Sequence, residues 1–248
     1  MESPDLGHRG VLVAIEGIDG AGKTTQVALL RDALMRIGEE PVVSKEPTNG
    51  KWGRIIKESA STGRLSPDDE LAAFVNDRAE HVASVVAPAI HNGRIVILDR
   101  YFYSSIAYQG SRGANVDDVK ALMEERFPIP DAVFILDIDP TLSVYRIAHS
   151  RGEVPNHFED RANLARAREI FNSLTGPKIH HIDGSMSRKA VYAQIIELFV
   201  MGALKAKRCA KSYGCDDVWF CSFRLTNTCE WWKIQATLRS VEPIEIES

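Results

Sequence analysis

The sequence predicts an α/β fold, with a five-stranded parallel sheet covered by helices on both faces. Short apolar runs alternate with helical stretches throughout residues 1–204. This alternation is typical of parallel sheets, because parallel neighbours are joined by crossover helices. The central runs are apolar at nearly every position, as expected of strands that are buried on both faces. A glycine-rich segment directly after the first run gives a third indication, a tight turn from strand to helix.

The first four elements are two strands and two helices. Residues 11–16 (VLVAIE) are almost wholly apolar and predict a buried strand. Residues 24–37 predict the first helix, which Gly38 would end. A short strand at 41–44 and a helix at 54–60 come next.

The third helix has a recognisable beginning. Ser66 is a favourable N-cap, Pro67 suits the first turn, and the acidic residues 68–70 complement the positive end of the helix dipole. The helix would extend to about His91, and Pro88 should bend or end it.

The remaining elements continue the alternation. Strands are expected at 94–98, 132–136 and 178–182, and helices at 116–127, 141–149, 158–174 and 187–204. The segment 151–155 (RGEVP) separates two of these helices. Ligands of such sheets lie at the carboxyl ends of the strands. The residues that follow the strands are therefore candidates for a site: Gly17, Glu46, Asp99 and Asp137.

The composition argues against several classes of protein. The chain has 248 residues, of which 44% are hydrophobic and 26% charged, and its net charge is −4. This balance gives no electrostatic reason to expect nucleic acid or an acidic membrane as a partner. No apolar run approaches the roughly 18 residues of a membrane span, and residues 1–9 lack the apolar core of a signal peptide. The cytoplasm is therefore the expected location.

The composition changes at residue 205, so residues 1–204 and the extension 205–248 are expected to be separate units. The extension begins with a basic run and contains three of the four tryptophans and all four cysteines (Cys209, Cys215, Cys221 and Cys229). Five, five and seven residues separate these cysteines, unlike the paired C-x₂-C arrangement of common zinc sites. Ordinary thiols in a small aromatic extension are the preferred interpretation. A four-cysteine metal site and two disulfides are the alternatives.

The strongest motif is the phosphate loop that follows the first strand. It matches the pattern G-x-x-x-x-G-K-[ST]. The glycines let backbone N–H groups point at phosphate oxygens, and the helix N-terminus adds a positive dipole end. Lys23 would neutralise the β- and γ-phosphates, and the Thr24 hydroxyl would reach Mg²⁺. The alternative is a glycine-rich turn that binds nothing. The residues predicted to bind a nucleoside triphosphate are Gly17, Ile18, Asp19, Gly20, Ala21, Gly22, Lys23, Thr24 and Thr25.

A second signal follows the strand at 94–98. Asp99 could act on Mg²⁺ through a water molecule. Arg100 could stabilise a transferring phosphoryl group or hold an acceptor phosphate. The alternative for this segment, which Tyr101 completes, is an exposed ion pair at the end of a strand.

Two weaker features concern an acceptor pocket. Phe74 and Arg78 lie four residues apart on one predicted helix, so both project from the same face. An aromatic plane and a guanidinium at this spacing can stack on a base and hydrogen-bond its carbonyl edge. Taken alone, the pair is more simply a core Phe and a surface Arg. Pro47, which follows Glu46, stiffens a loop that could shape the pocket.

The order of these motifs resembles that of thymidylate kinases. The resemblance covers nearly all of residues 10–204. It implies a P-loop NTPase fold of the nucleoside monophosphate kinase type, with ATP and Mg²⁺ as cofactors, and a homodimer. The segments that carry it are EGIDGAGKTT (16–25), EPT (46–48), FVNDR (74–78), DRY (99–101), SSIAYQG (104–110), LDIDP (136–140), a lid-like stretch at 150–158 and HIDG (181–184).

The resemblance implies roles for the residues near the phosphates. Asp19 would contact the 3′-hydroxyl of the acceptor sugar, close to the metal. Arg100 would hold the acceptor phosphate near the γ-phosphate, and Asp99 would organise Mg²⁺. Arg54 would help to bind the phosphate side of the acceptor.

Other implied roles concern the base and the sugar. Phe74 would stack on thymine, and Arg78 would hydrogen-bond its O4. Gln109 lies in the segment that borders the base. The residues implied to check the sugar or to shape the pocket are Ser104, Ser105, Tyr108, Glu46 and Pro47.

The implied lid spans residues 150–160. Some family members carry an arginine in the phosphate loop where this chain has Gly20, and members with glycine there place the working arginine in the lid. Arg151 is the candidate, with Arg146 and Arg161 less favoured. The alternative for Arg151 is a solvated charge at a helix end.

The activity that the resemblance implies is phosphoryl transfer from ATP to dTMP. One alternative is a kinase for another nucleoside monophosphate or for a deoxynucleoside. The other is a nucleotide-binding regulatory protein that has the phosphate loop but transfers nothing. The set of charges at Lys23, Arg78, Asp99 and Arg100 favours an enzyme.

Overall fold

The computed structural model describes residues 10–151 and 161–204, apart from the side chains of residues 150 and 151. The extension 205–248 with its four cysteines, most of the lid at 150–160 and the side chain of Arg151 lie outside the described residues. The predictions made for them stay predictions. In the part of the chain that the structure describes, no helix is both long and apolar enough to cross a membrane.

The predicted parallel sheet is confirmed. Its five strands run in the order β2-β3-β1-β4-β5, and every neighbouring pair is parallel. Their bounds lie within one residue of those expected: β1 Val11–Glu16, β2 Val42–Lys45, β3 Ile95–Asp99, β4 Ala132–Asp137 and β5 Ile179–Asp183.

Helices connect these strands. The described ones are α1 Lys23–Arg36, α2 Lys51–Thr62, α3 Pro67–His81, α4 Ala87–His91, α5 Phe102–Gly110, α6 Val116–Arg126, α7 Pro140–Arg151, α8 Arg161–Ser173 and α9 Arg188–Phe199. The expected helices at 141–149 and 187–204 correspond to α7 and to α9 with a π-helical turn after it. Helix α5 was not predicted from the sequence.

The central strand β1 is buried along its whole length. Because successive side chains of a strand point to opposite faces, burial of every residue means that both faces of the sheet are covered. Register brings Ile15 of β1 beside Asp99 of β3. The ends of β1 and β3, from which the candidate residues continue, therefore lie side by side.

Helix α3 begins as its sequence predicts. The Ser66 hydroxyl accepts a hydrogen bond from the backbone N–H of Asp69 at 3.2 Å. The helical path continues through a π-helical turn (Val82–Val86) into α4 and reaches His91. Pro88 has no N–H to donate, so the loosened hydrogen bonding before it has a direct cause. The path is disturbed there but does not end.

Glu70, a fully buried carboxylate of α3, joins three segments. Its two oxygens accept hydrogen bonds from Arg64 at 2.6 and 3.0 Å, from Arg112 at 2.7 Å and from Gln109 at 2.9 Å.

Replacing Glu70 by Ala would leave Arg64 and Arg112 without the carboxylate that they contact. We expect a loss of about 3 kcal/mol of unfolding free energy and a fall of roughly 6–12 °C in Tm. Thermal unfolding of this variant measures it. Glu58→Ala, on the exposed side of α2, is the matched control and should stay within about 0.5 kcal/mol of the original chain.

Candidate active site

The phosphate loop joins β1 to α1 and requires glycine where the backbone is left-handed. Gly17 has φ +132° and Gly20 has φ +73°. A Cβ on Gly17 would lie 2.5 Å from the carbonyl oxygen of Leu136, and one on Gly20 would lie 2.7 Å from that of Ser143. Helix α1 has no acidic residue in its first turn and no side chain on its N-cap, Gly22. Its first N–H groups are therefore available to an anion.

Lys23 is buried at the N-terminus of this helix. Its Nζ donates hydrogen bonds to the carbonyl oxygens of Gly17 at 3.0 Å and Ile18 at 2.7 Å. Burial, together with nearby Arg100, lowers the pKa of Lys23 to about 7, and Asp19 opposes this shift. A bound polyphosphate would supply the missing negative charge and raise the pKa of the amine again.

Thr24 and Asp99 form a pair suited to Mg²⁺. The Thr24 hydroxyl donates to Oδ2 of Asp99 at 2.5 Å, while the buried Oδ1 has no hydrogen-bond partner among the described residues. Burial alone would raise the pKa of Asp99, but Lys23 and Lys45 nearby turn the net shift downward. The carboxylate is therefore ionised and has an oxygen available, and hydroxyl and carboxylate oxygens are the ligands that Mg²⁺ prefers.

Arg100 faces the phosphate loop from the end of β3. One of its terminal nitrogens donates to Oδ1 of Asp19 at 2.6 Å, and the other donates to the Ser104 hydroxyl at 3.1 Å. The Tyr108 hydroxyl donates to the second oxygen of Asp19 at 2.8 Å. The alternative of an exposed ion pair between Asp99 and Arg100 is wrong, because Asp99 is only 3% exposed and Arg100 pairs with Asp19.

Two cavities meet at these side chains. The smaller, of about 240 Å³, extends from Arg100 toward Phe74 and Arg78, and we call it the acceptor cavity after the residues predicted to bind an acceptor. The larger, of about 770 Å³, is lined by residues 19–26, and we call it the donor cavity after the phosphate loop predicted from the sequence. Among the described residues, both cavities share the lining residues Asp19, Lys45 and Arg100.

Arg78 lies in the wall of the acceptor cavity and is 1% exposed. Its Nε donates to Glu46 at 2.8 Å, and a terminal nitrogen donates to the Ser105 hydroxyl at 3.0 Å. The other oxygen of Glu46 lies 2.9 Å from Nδ1 of His81. The simpler expectation of a core Phe and a surface Arg is wrong on both counts, since Phe74 is half-buried and lines the cavity.

Most predicted acceptor residues gather at the acceptor cavity, but three do not line it. Arg54 is exposed on α2. Ser105 is buried behind Arg78. Gln109 is buried with its amide nitrogen on Glu70, and its Oε1 has no hydrogen-bond partner among the described residues. The predicted residues that do line this cavity are Asp19, Glu46, Pro47, Phe74, Arg78, Arg100, Ser104 and Tyr108.

One lid candidate lies in the donor cavity. Arg146 lines it, and its guanidinium donates to the carbonyl oxygen of Gly184 at 3.0 Å. Arg161, the first residue of α8, is exposed. The structure therefore places Arg146, one of the two less favoured candidates, in the donor cavity.

The sequence analysis missed several residues of these cavities. Lys45 lines both cavities and lies 3.5 Å from Asp99. It could have been found, because it ends β2 at the edge of the sheet where ligands bind. Tyr145 and His149 of α7, whose stacked rings lie 3.9 Å apart in the donor cavity, had no comparable signal in the sequence.

Comparisons with known proteins agree with this geometry. Residues 15–195 match the family model described as thymidylate kinase. The chain is 46% identical over 200 residues to a thymidylate kinase of Xylella fastidiosa (strain M12), which covers 80% of this chain and 90% of that protein. It is 49% identical over 190 residues to a thymidylate kinase of Xanthomonas campestris pv. campestris (strain B100), covering 77% of this chain and 83% of that protein. A phosphate loop, an adjoining acceptor cavity and this similarity over most of the chain lead to one conclusion: the chain belongs to the thymidylate kinase family.

Proposed function

We propose that this protein transfers the γ-phosphoryl group of ATP to the 5′-phosphate of dTMP, forming dTDP and ADP. The observation that carries the proposal is the meeting of the two cavities at Asp19, Lys45 and Arg100. A triphosphate in the donor cavity and a monophosphate in the acceptor cavity would bring their phosphates together at this junction. Phosphoryl transfer needs this in-line approach more than it needs covalent chemistry from the protein.

Thr24 and Asp99 would hold Mg²⁺ in this proposal, directly or through water. The ion would supply positive charge at the β- and γ-phosphates. The residues of this chain provide the rest of the charge neutralisation. Lys23 would bind the donor phosphates, and Arg100 would hold the acceptor phosphate.

The acceptor oxygen is already anionic, so the reaction needs no strong general base. Catalysis would come from positioning and from positive charge that is fixed before the reaction begins. Closure of the lid over the phosphates would keep out water, which would otherwise accept the phosphoryl group. Arg151 is the predicted lid arginine, and Arg146 of the donor cavity is its alternative.

Thymine would be recognised at the far end of the acceptor cavity. Phe74 would stack on the base, and Arg78 would hydrogen-bond its O4. The sugar would lie near Asp19 and Tyr108, close enough to the phosphate junction for Asp19 to contact the 3′-hydroxyl.

His81 provides a test of how Arg78 is held. Replacing it by Leu would remove the hydrogen-bonding partner of one Glu46 oxygen and would loosen the carboxylate that holds Arg78. We expect the KM for dTMP to rise about tenfold, the effect of about 1.4 kcal/mol, with kcat nearly unchanged. Steady-state kinetics with dTMP measures this, and His91→Leu, at an exposed position on α4, is the matched control. An unchanged KM for dTMP would show that Arg78 needs no support from His81.

We also propose that the protein forms a homodimer and is located in the cytoplasm. The mass of one chain is 27.5 kDa. Light scattering after gel filtration should therefore give about 55 kDa, twice the mass of one chain. A mass near 27.5 kDa at micromolar concentration would contradict the dimer.

The test of the proposed function is ADP release measured with ATP and Mg²⁺ across dTMP, dUMP, UMP, dCMP, AMP and GMP. We expect preference for dTMP, and loss of release in a Lys23→Met variant. Preference for another monophosphate would overturn the roles of Phe74 and Arg78 but not the mechanism. Nucleotide binding with no transfer to any acceptor would favour the regulatory alternative.

A further inference from the structure

Glu16 is a buried carboxylate that the mechanism above does not use. It is the last residue of β1 and is 0% exposed. One of its oxygens accepts the backbone N–H of Tyr101 at 2.8 Å and that of Ser104 at 3.4 Å. The other accepts the Ser104 hydroxyl at 2.6 Å. These contacts lie in the turn at Arg100 and in the first turn of α5, which follows it.

Arg100 is the only described residue other than glycine with a left-handed backbone, at φ +72°. Such a conformation persists at a non-glycine residue only when its surroundings enforce it. The Arg100 N–H donates to the carbonyl oxygen of Ile15 at 3.1 Å, and the next N–H, that of Tyr101, donates to Glu16. The last two residues of β1 thus hold the two successive N–H groups of this turn.

A second connection runs through side chains. The Ser104 hydroxyl donates to Glu16 and accepts from the Arg100 guanidinium at 3.1 Å. The Glu16 carboxylate therefore fixes the backbone N–H that follows Arg100 and also the Ser104 hydroxyl that accepts from its guanidinium.

Glu16 also contacts the start of helix α5, which follows Arg100 in the chain. The N-cap of α5, Tyr101, forms no capping hydrogen bond with its side chain. The carboxyl group of Glu16 takes this place, because it accepts an N–H of the first turn and stands at the positive end of the helix dipole. Helix α5 carries Ser104 and Tyr108, which line the acceptor cavity.

We propose that Glu16 is a positioning residue for phosphoryl transfer: it holds the left-handed turn at Arg100 and the start of α5, so that the guanidinium faces the acceptor phosphate. This inference rests on the function proposed for Arg100. It predicts that loss of Glu16 impairs use of dTMP much more than binding of ATP.

The charge of Glu16 is not the essential property. Burial raises the pKa of Glu16 to about 7, although the Ser104 hydroxyl and Arg100 act in the opposite direction. A carboxylic acid and a carboxylate can each accept the Tyr101 N–H. A glutamine has an oxygen for that N–H and an amide group that can donate to the Ser104 hydroxyl, so it should replace Glu16 in part.

The experiment compares full-length Glu16→Leu and Glu16→Gln by steady-state kinetics with dTMP and ATP. For Glu16→Leu we expect kcat/KM for dTMP to fall about 100-fold, with the KM for ATP changed less than about threefold. For Glu16→Gln we expect a loss of less than about fivefold. Asp131→Leu is the matched control, since Oδ2 of Asp131 accepts the Leu12 N–H at 3.0 Å at the opposite end of β1. That control should lower Tm without altering the kinetics with dTMP.

Glu16→Asp extends the test in case Glu16→Leu does not fold. The shorter side chain keeps its charge but cannot reach both Tyr101 and Ser104, so it should also lose at least tenfold in kcat/KM for dTMP. The inference is overturned if the folded Leu or Asp variant uses dTMP as the original chain does, or if the KM for ATP and for dTMP rise together. Arg100→Met distinguishes the two proposals. If Arg100→Met is fully active, the function proposed for Arg100 fails. If it is inactive while Glu16→Leu is fully active, only the present inference fails.

Discussion

A Lys23→Met variant should lose kcat for dTMP phosphorylation by a factor on the order of 10³ or more. Lys23 is 6% exposed, is the first residue of α1 and lines the donor cavity. Methionine has nearly the same length and volume, so the variant removes the charge but retains the packing. Transfer would then proceed without the cation that stabilises charge on the γ-phosphate.

The variant should fold at least as well as the original chain. Burial penalises the charged amine, as the lowered pKa of Lys23 shows, and methionine carries no such penalty. Loss of activity at an unchanged or higher Tm would therefore assign the effect to chemistry. The assay is coupled ADP release at saturating ATP and dTMP. Lys51→Met, at the exposed start of α2 and outside both cavities, is the matched control and should leave kcat unchanged. Retention of more than a tenth of kcat by Lys23→Met would contradict the role given to Lys23.

Most of the fold follows from local patterns in the sequence. The strands β1, β3 and β4 are short apolar runs whose burial on both faces leaves little choice of element. Capping residues likewise gave the start of α3 at Pro67. Helix α5 was missed, because its residues 102–108 are all buried and aromatic side chains interrupt any polar face. Its N-terminus is capped by Glu16, which lies far away in sequence, so no local signal marks it.

The site was predicted where chemistry and sequence position coincide. The phosphate loop and Asp99 lie at strand ends, and the structure brings them together as expected. Contacts between segments that are distant in the sequence could not be predicted from it. Lys45 joins both cavities only because β2 lies beside β3. The network of Glu46, Arg78 and His81 likewise depends on how α3 packs against the end of β2.

Arg100→Met should lower kcat/KM for dTMP by a factor on the order of 10⁴. The guanidinium donates to Asp19, Ser104 and the carbonyl oxygen of Gly17 at once, at the junction of the two cavities. Loss of the cation would leave the Asp19 carboxylate facing two incoming phosphates. The KM for ATP should change less than about fivefold, because Lys23 and the phosphate loop remain. Arg94→Met, outside both cavities, is the matched control.

How this loss divides between kcat and KM decides what Arg100 does. A guanidinium that only binds the acceptor in the ground state would raise the KM for dTMP and leave kcat unchanged. A guanidinium that also contacts the transferring phosphoryl group would lower kcat. Because Arg100 lies between the two cavities, we expect kcat to fall about 100-fold and the KM for dTMP to rise about 100-fold. Arg100→Lys should recover part of kcat but not the KM, because a single amine cannot make the fork of contacts to Asp19 and Ser104. Full recovery by lysine would mean that charge alone matters. Full activity of Arg100→Met would transfer its role to Lys45, which among the described residues is also a cation that lines both cavities.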